Sequence, residues 1–153
     1  MDELTDNQQK YENYRVQSRR LASALRSGFY LEAVFIDYAI IEDRLESALT
    51  HAGAFNSNRQ RTITSKLTKL EKLCDEERGL AHRYFSAELL AAIRAWKDRR
   101  NPLVHKLLKQ HATTSDFEAV AREGEALVKT LKSRVGSFNR ALDRERVKRE
   151  DGR

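Results

Sequence analysis

The chain is poor in cysteine, proline and long apolar runs, and each scarcity excludes a class of structure. The single cysteine, Cys74, excludes an intrachain disulfide and a cysteine-cluster metal site. No apolar stretch approaches the roughly 20 residues that a membrane-spanning helix needs. The acidic, polar start Met1-Asp2-Glu3-Leu4 does not resemble a signal peptide. We therefore expect a cytoplasmic protein without a membrane partner.

The composition that remains is that of an all-helical domain. The chain has 153 residues, six Gly and one Pro, and it is 40% hydrophobic and 34% charged. A chain of this length forms one domain with a proper core. The sequence contains no Gly-rich phosphate loop, no His-Glu-x-x-His pair and no Ser/His/Asp signature. The formal charge of +6 is compatible with a nucleic-acid partner but does not require one.

Apolar residues recur at three- and four-residue steps along most of the chain, which is typical of amphipathic helices. A capping box of Thr5 and Gln8 starts the first helix, and Ser115 with Glu118 forms another that starts the last. The steps predict helices over about 5–26, 29–52, 63–75, 86–100, 102–110 and 115–142. We predict an all-α, up-and-down bundle of about five helices over residues 1–142, with a long C-terminal helix. Residues 143–153 form a charged tail without an apolar face, which we expect to fray.

The segment Arg99-Arg100-Asn101-Pro102-Leu103-Val104-His105 lies between two of these helices. Pro102 is the only proline, and a proline inside a helical pattern kinks or restarts the helix. Asn101 is a good N-cap, and Pro102 would then take the first helical position, where its missing N–H costs little. The sequence therefore predicts a sharp helix break between Arg100 and His105, flanked by a cation and an imidazole.

The spacing Arg100-Asn101-Pro102-Leu103-Val104-His105 resembles the motif of the HEPN family of small helical ribonucleases. That family is recognised by Arg-x(4–6)-His, often with Asn, Asp or His directly after the arginine, where its last core helices meet. The resemblance extends over residues 5–142, although only the six-residue motif is specific. It implies a metal-independent endoribonuclease that leaves a 2′,3′-cyclic phosphate and often acts in defence or as the toxin of a toxin–antitoxin pair.

The residues themselves suit this chemistry. Histidine titrates nearest neutral pH, so His105 would take or give the proton at the 2′-hydroxyl. Arginine is always charged and presents a planar fork, so Arg100 would bind the scissile phosphate and stabilise its transition state. Asn101 would orient the phosphate or Arg100, or would serve only as a helix cap. No metal or other cofactor is required for these roles.

Several neighbouring residues have two interpretations. Arg99 is either a second phosphate contact or an exposed surface arginine. Glu42 and Asp43 flank the apolar stripe of the second helix, where they would hold Arg100 or tune His105. Alternatively, these carboxylates pair with Arg44 or other surface cations. We expect no role for three other histidines, which fall in turns or near helix ends: His51, His82 and His111.

Three functions remain open on the sequence alone. The resemblance implies an RNA substrate, a homodimer in which both motifs line one cleft, and an antitoxin partner for a toxin. The second hypothesis is a non-catalytic HEPN-like module that binds RNA or a partner protein. It would use the basic face of the first helix, which carries Lys10, Arg15, Arg19, Arg20 and Arg26, or the seam of the last helix. The third is a purely structural dimerisation domain.

Overall fold

The computed structural model describes residues 5–107 and 114–152, and within these ranges it contains helices but no strand. The helices are α1 (Asp6–Ser27), α2 (Tyr30–His51), α3 (Ile63–Cys74), α4 (Ala81–Tyr84), α5 (Ala87–His105) and α6 (Thr114–Asp151). The predicted all-α bundle with a long C-terminal helix is confirmed. The short α4 lies in a stretch that the sequence predicted to be a connection. Within the described ranges, no helix combines the length and apolar character needed to cross a bilayer.

Local sequence signals fix most helix ends. Thr5 accepts a hydrogen bond from the backbone N–H of Gln8 at 3.3 Å, and the Gln8 side chain accepts one from the backbone N–H of Thr5 at 2.9 Å. This confirms the predicted capping box. Gly28 and Gly53, with φ of 75° and 69°, follow α1 and α2 in the left-handed conformation that glycine adopts without strain.

The core forms around α2, which packs against α1, α3 and α6. Helices α1 and α2 run antiparallel, because Lys10 pairs with Asp43 while Arg20 pairs with Glu32. Helices α2 and α6 run parallel, since residues 37, 47 and 51 of α2 meet residues 124, 139 and 143 of α6 in that order. The apolar seam predicted for the last helix is buried in the bundle at Phe117, Val120, Leu131, Val135 and Phe138. The seam is therefore used to pack α6 along the domain.

The predicted helix break at Pro102 is wrong. Helix α5 continues through Asn101 and Pro102 to His105, so Asn101 is a helical residue and not an N-cap. Pro102 is exposed and lies in the last turns of the helix, and its carbonyl still accepts the N–H of Lys106 at 3.0 Å. Because the carbonyl that loses its partner to the proline is on Asp98, an exposed residue, water can solvate it. The helix predicted over 102–110 and the turn at His111 fall partly or wholly in 108–113, outside the described residues.

The predicted fraying of the charged tail is also wrong as a description of its secondary structure. Helix α6 extends through residues 143–151 as a largely exposed, charged helix. His51 Nε2 lies 2.9 Å from Asp143 Oδ1, and the Arg146 guanidinium donates to the backbone carbonyl of His51. These contacts tie the start of the segment to the C-terminal end of α2, where a cation also meets the negative end of the helix dipole.

Candidate functional site

The Arg-x4-His motif lies on the last turns of α5. In an α-helix, side chains five positions apart are rotated by about 140° and separated by about 7.5 Å along the axis. Arg100 and His105 therefore leave α5 in different directions. The Arg100 side chain reaches the aromatic rings of α2, whereas His105 is exposed. The structure thus places both on one helix end but does not bring their side chains together in one chain.

Arg100 is held against α2 by aromatic rings. Its guanidinium carbon lies 4.2 Å from the centroid of the Tyr38 ring and 5.3 Å from that of Phe35. A guanidinium over an aromatic face is attracted by the negative charge of that face. The Arg100 Nη1 group also donates to Asn101 Oδ1 at 3.2 Å, while the buried Nε–H has no hydrogen-bond partner. The guanidinium is therefore oriented by Tyr38 and by Asn101.

Asn101 and Arg99 have partners that bear on their two interpretations. The Asn101 amide oxygen accepts from Arg100, which matches the proposed orienting role and not the capping role. Arg99 is exposed and forms an ion pair with Glu123 of α6. Arg99 therefore bridges α5 and α6 on the surface. A phosphate contact by Arg99 would need that pair to open.

The two acids expected to support the motif lie elsewhere, and this expectation is corrected. Glu42 accepts from the buried ammonium of Lys66 on α3 at 2.9 Å. Asp43 pairs with Arg44 at 2.7 Å and with Lys10 at 3.1 Å. Hydrogen bonds from these two cations lower the pKa of Asp43 against the opposing effect of burial, which is the largest single influence. The alternative interpretation, that these carboxylates pair with other cations, is the one the structure supports.

A different acid of α2, Asp37, is buried beside Tyr38. It is 0% exposed and neither of its carboxyl oxygens has a hydrogen-bond partner. Burial, with a smaller contribution from the charge of Glu125, raises the pKa of Asp37 to about 8. Asp37 therefore holds its proton at neutral pH. It directly precedes Tyr38, whose ring holds Arg100, and strongly shifted carboxyls of this kind often mark functional sites.

The surroundings of Asp37 connect it to the motif helix. A methyl group added at Gly124 would lie 2.9 Å from Trp96 Cζ2 and closer still to Asp37 Oδ2. Trp96 lies one turn before Arg100 on α5, and its indole N–H donates to the carbonyl of Val120 at 2.8 Å. Helices α2, α5 and α6 therefore meet at this carboxyl. The sequence signal for Asp37 was its position between Val34 and Ile41, within the apolar stripe. A carboxylate is unusual there, because burial of a charge is costly.

Two grooves adjoin the motif. One lies between α1 and α2, has a volume of about 630 Å³, and includes Phe35, the residue whose ring contacts Arg100. The other, of about 450 Å³, is lined by the start of α2, the first residues of α6 and Leu107, two residues beyond His105. Such volumes are typical of ligand sites. Neither groove is lined by Arg100, Asn101 or His105, so each lies beside the motif side chains and not at them.

Comparison of the chain with protein families, with curated proteins and with solved structures finds no match. Among the residues that the structure describes, no three His, Cys, Asp or Glu side chains are grouped as metal ligands would be.

Proposed function

We propose that this chain is a metal-independent endoribonuclease that cleaves RNA to a 2′,3′-cyclic phosphate. The observation that carries the proposal is how the Arg100 and His105 side chains are presented at the end of α5. A guanidinium is oriented by an aromatic ring and by Asn101, and an exposed imidazole lies five residues further on the same helix. The resemblance of this motif to that of the HEPN family adds the type of reaction.

In this proposal His105 removes the proton from a 2′-hydroxyl, and the 2′-oxygen attacks the adjacent phosphorus. The bond from phosphorus to the 5′-oxygen breaks, and the leaving oxygen takes up a proton, so the products are a cyclic phosphate and a free 5′-hydroxyl. Arg100 binds the non-bridging oxygens, where negative charge grows in the transition state. Asn101 and Tyr38 keep the guanidinium in place for that contact.

The Arg100 and His105 side chains point away from each other on α5, so a complete site needs a further component. Since the two side chains leave one helix about 140° apart, we infer that a complete site combines residues from two copies of the chain. A homodimer with its motifs facing one cleft would supply the Arg100 of one subunit and the His105 of the other. Action as a toxin or phage-defence effector in the cytoplasm, with an antitoxin as a further partner, belongs to the same proposal.

The second candidate is a non-catalytic HEPN-like module that binds RNA or a partner protein. The same divergence favours it, because a single chain does not assemble the two groups that the reaction needs. A purely structural role requires both motif side chains to be used in internal contacts. The exposure of His105 speaks against that third alternative.

The decisive experiment is RNA cleavage by the purified protein in EDTA. We expect wild-type protein to produce cyclic-phosphate ends, and His105→Ala and Arg100→Ala to lose at least about a hundredfold in rate, as expected for loss of a general base or of a charge-stabilising group. His82→Ala and Arg83→Ala change the same residue types at exposed positions of α4 and should cleave normally. Circular dichroism checks the fold of each variant. If folded motif variants cleave as fast as wild type, the assignment fails.

A further inference from the structure

A pocket bordered by α1, α2 and α6 concentrates positive charge. It has a volume of about 520 Å³, and none of the described residues that line it carries a carboxylate. Its cations are Lys10, Arg15, Arg19, Arg44 and Lys132. Because three separate helices supply them, no single stretch of the sequence reveals the cluster.

Nearby acids neutralise this charge only in part. Arg44 and Lys10 share one carboxylate, that of Asp43, which itself lies outside the pocket lining. Arg15 pairs with Glu12 at 3.3 Å. Within 5–107 and 114–152, no ion pair involves Arg19 or Lys132. The pocket therefore keeps a positive potential that attracts an anion.

The centre of the pocket is the ring of Tyr14. The Arg44 guanidinium carbon lies 4.5 Å from its centroid, and the Lys132 ammonium lies 5.0 Å from it and 3.2 Å from Ser18 Oγ. Burial of Lys132 away from solvent lowers its pKa, and repulsion from Arg44 makes a smaller contribution in the same direction. The fold thus holds two like charges over one aromatic ring, and of the two Asp43 neutralises only the Arg44 guanidinium. An anion placed there would relieve the repulsion.

We propose that this pocket binds a phosphate of single-stranded RNA. Arg44, Lys132 and Arg19 would contact the phosphate oxygens. Tyr11, which lines the same pocket and is 65% exposed, would stack on a neighbouring base. The inference rests on the proposed function only in taking RNA as the ligand.

The location of the pocket fits a strand that also reaches the motif. Arg44 lies six residues beyond Tyr38 on α2, which is about 9 Å along the helix axis and about 120° around it. Successive phosphates of a stacked strand are about 3.4 Å apart along its axis, so a few nucleotides cover this distance. The pocket would therefore bind RNA away from the cleaved bond and contribute affinity instead of chemistry.

The test measures binding of a fluorescein-labelled single-stranded RNA of about a dozen nucleotides. Fluorescence anisotropy reports the binding over a range of salt concentrations. His105→Ala protein in EDTA serves as the background, so that cleavage does not disturb the measurement. The test variant adds Arg19→Gln and Lys132→Gln. The matched control adds Arg134→Gln and Lys129→Gln, which remove the same charges from exposed positions of α6 outside the pocket.

Each phosphate contact on a single strand contributes about 0.7 to the slope of log K against log salt. Loss of two contacts should lower that slope by about 1.4 and weaken binding about 25-fold at 0.1 M salt. The control should weaken binding less than about twofold, since it lacks the specific contacts. Melting curves with and without RNA give a second measure, because RNA should raise the melting temperature of the background protein more than that of the test variant.

If the test and control variants weaken RNA binding equally, the proposal that the pocket binds RNA is wrong. A mononucleotide or inorganic phosphate that raises the melting temperature of the background protein as much as RNA does would also contradict the RNA site. The pocket would then be a site for a small anion. If RNA binds through the pocket while wild-type protein never cleaves, the ribonuclease proposal fails and the pocket stands. If wild-type protein cleaves while the test variant binds RNA normally, the pocket fails and the ribonuclease proposal stands.

Discussion

At the scale of single residues, Gly124 lies so close to the buried Asp37 carboxyl that no side chain fits between them. A glycine inside a long helix costs about 1 kcal/mol relative to alanine, so a stabilising substitution would be expected there from helix propensity alone. The structure explains the glycine, since a methyl group at this position would overlap the Asp37 carboxyl and touch Trp96. The missing side chain makes room for a buried acid.

We predict that Gly124→Ala lowers the free energy of unfolding by about 1–3 kcal/mol, because overpacking forces the Asp37 and Trp96 side chains to move. Gly136→Ala is the matched control on the same helix, where the added methyl meets only the flexible end of Arg140 at 3.3 Å. The control should be neutral or stabilising by up to about 1 kcal/mol. Urea unfolding measures both. Equal effects in the two variants would contradict the close contact at Gly124.

The raised pKa of Asp37 predicts a pH dependence of stability. Its pKa is about 8 in the folded protein, against an ordinary value of 3.8, so the unfolded chain loses this proton first. The folded state then binds more protons, and the contribution of Asp37 to stability falls as the pH rises from about 4 to about 8. Burial of a group that prefers to be charged is the cause.

Asp37→Asn should remove this dependence. Relative to wild type, the variant should gain on the order of 2–4 kcal/mol in free energy of unfolding between pH 5 and pH 8, because its amide never ionises. Urea unfolding at both pH values measures the gain. Glu125→Gln is a milder control, since Glu125 is the second cause of the shift. If wild type and Asp37→Asn keep the same difference at both pH values, Asp37 does not titrate in this range.

At the scale of elements, α5 contains a proline that its neighbours tolerate. Pro102 removes one hydrogen bond of the helix, yet α5 continues to His105. A proline in a helix interior costs about 3 kcal/mol, and less near the last turn, where fewer bonds are lost. The last turns of α5, which carry the motif, therefore have one hydrogen bond fewer than the same turns would have without proline.

We predict that Pro102→Ala raises the free energy of unfolding by about 1–3 kcal/mol, since alanine restores the N–H that can bond to the carbonyl of Asp98. Amide hydrogen exchange should show greater protection over residues 102–105 in the variant. Lower stability of Pro102→Ala would mean that a kink at this position is required by the packing.

At the scale of the whole molecule, the proposed site depends on two copies of the chain. A two-fold dimer places the same surface of each subunit against the other, so the shared cleft would hold two sites, each with Arg100 from one copy and His105 from its partner. Phe35 is 47% exposed and Leu107 is 40% exposed beside the motif, which leaves apolar surface for such a contact. The net charge of +6 would then act on the RNA from both subunits.

Mixing two inactive variants tests this arrangement. Arg100→Ala and His105→Ala proteins, combined and allowed to exchange subunits, should recover about a quarter of the wild-type rate, because half of the dimers are mixed and each of these keeps one complete site of two. Each variant alone should remain inactive. Analytical ultracentrifugation establishes that dimers are present and exchange. No recovery in mixed dimers would place Arg100 and His105 of the same chain in one site.

The sequence by itself determined the helices. Apolar spacing and capping residues located five of the six helices in the described parts of the chain, because these signals act over a few residues and every helix must satisfy them locally. The motif residues at the end of α5 were also visible in the sequence, which left Asn101 open between orienting Arg100 and capping a helix. The local rule for Pro102 failed, since packing of the rest of α5 can outweigh one lost hydrogen bond.

Only the tertiary structure decided which side chains meet. It paired Glu42 with Lys66 of α3 and Asp43 with Lys10 of α1, and it buried Asp37 against Gly124 of α6. It also gave Arg100 its aromatic partner and gathered the basic pocket around Tyr14 from α1, α2 and α6. Such contacts join residues far apart in the chain. They depend on the direction and rotation of whole helices, which no local pattern encodes.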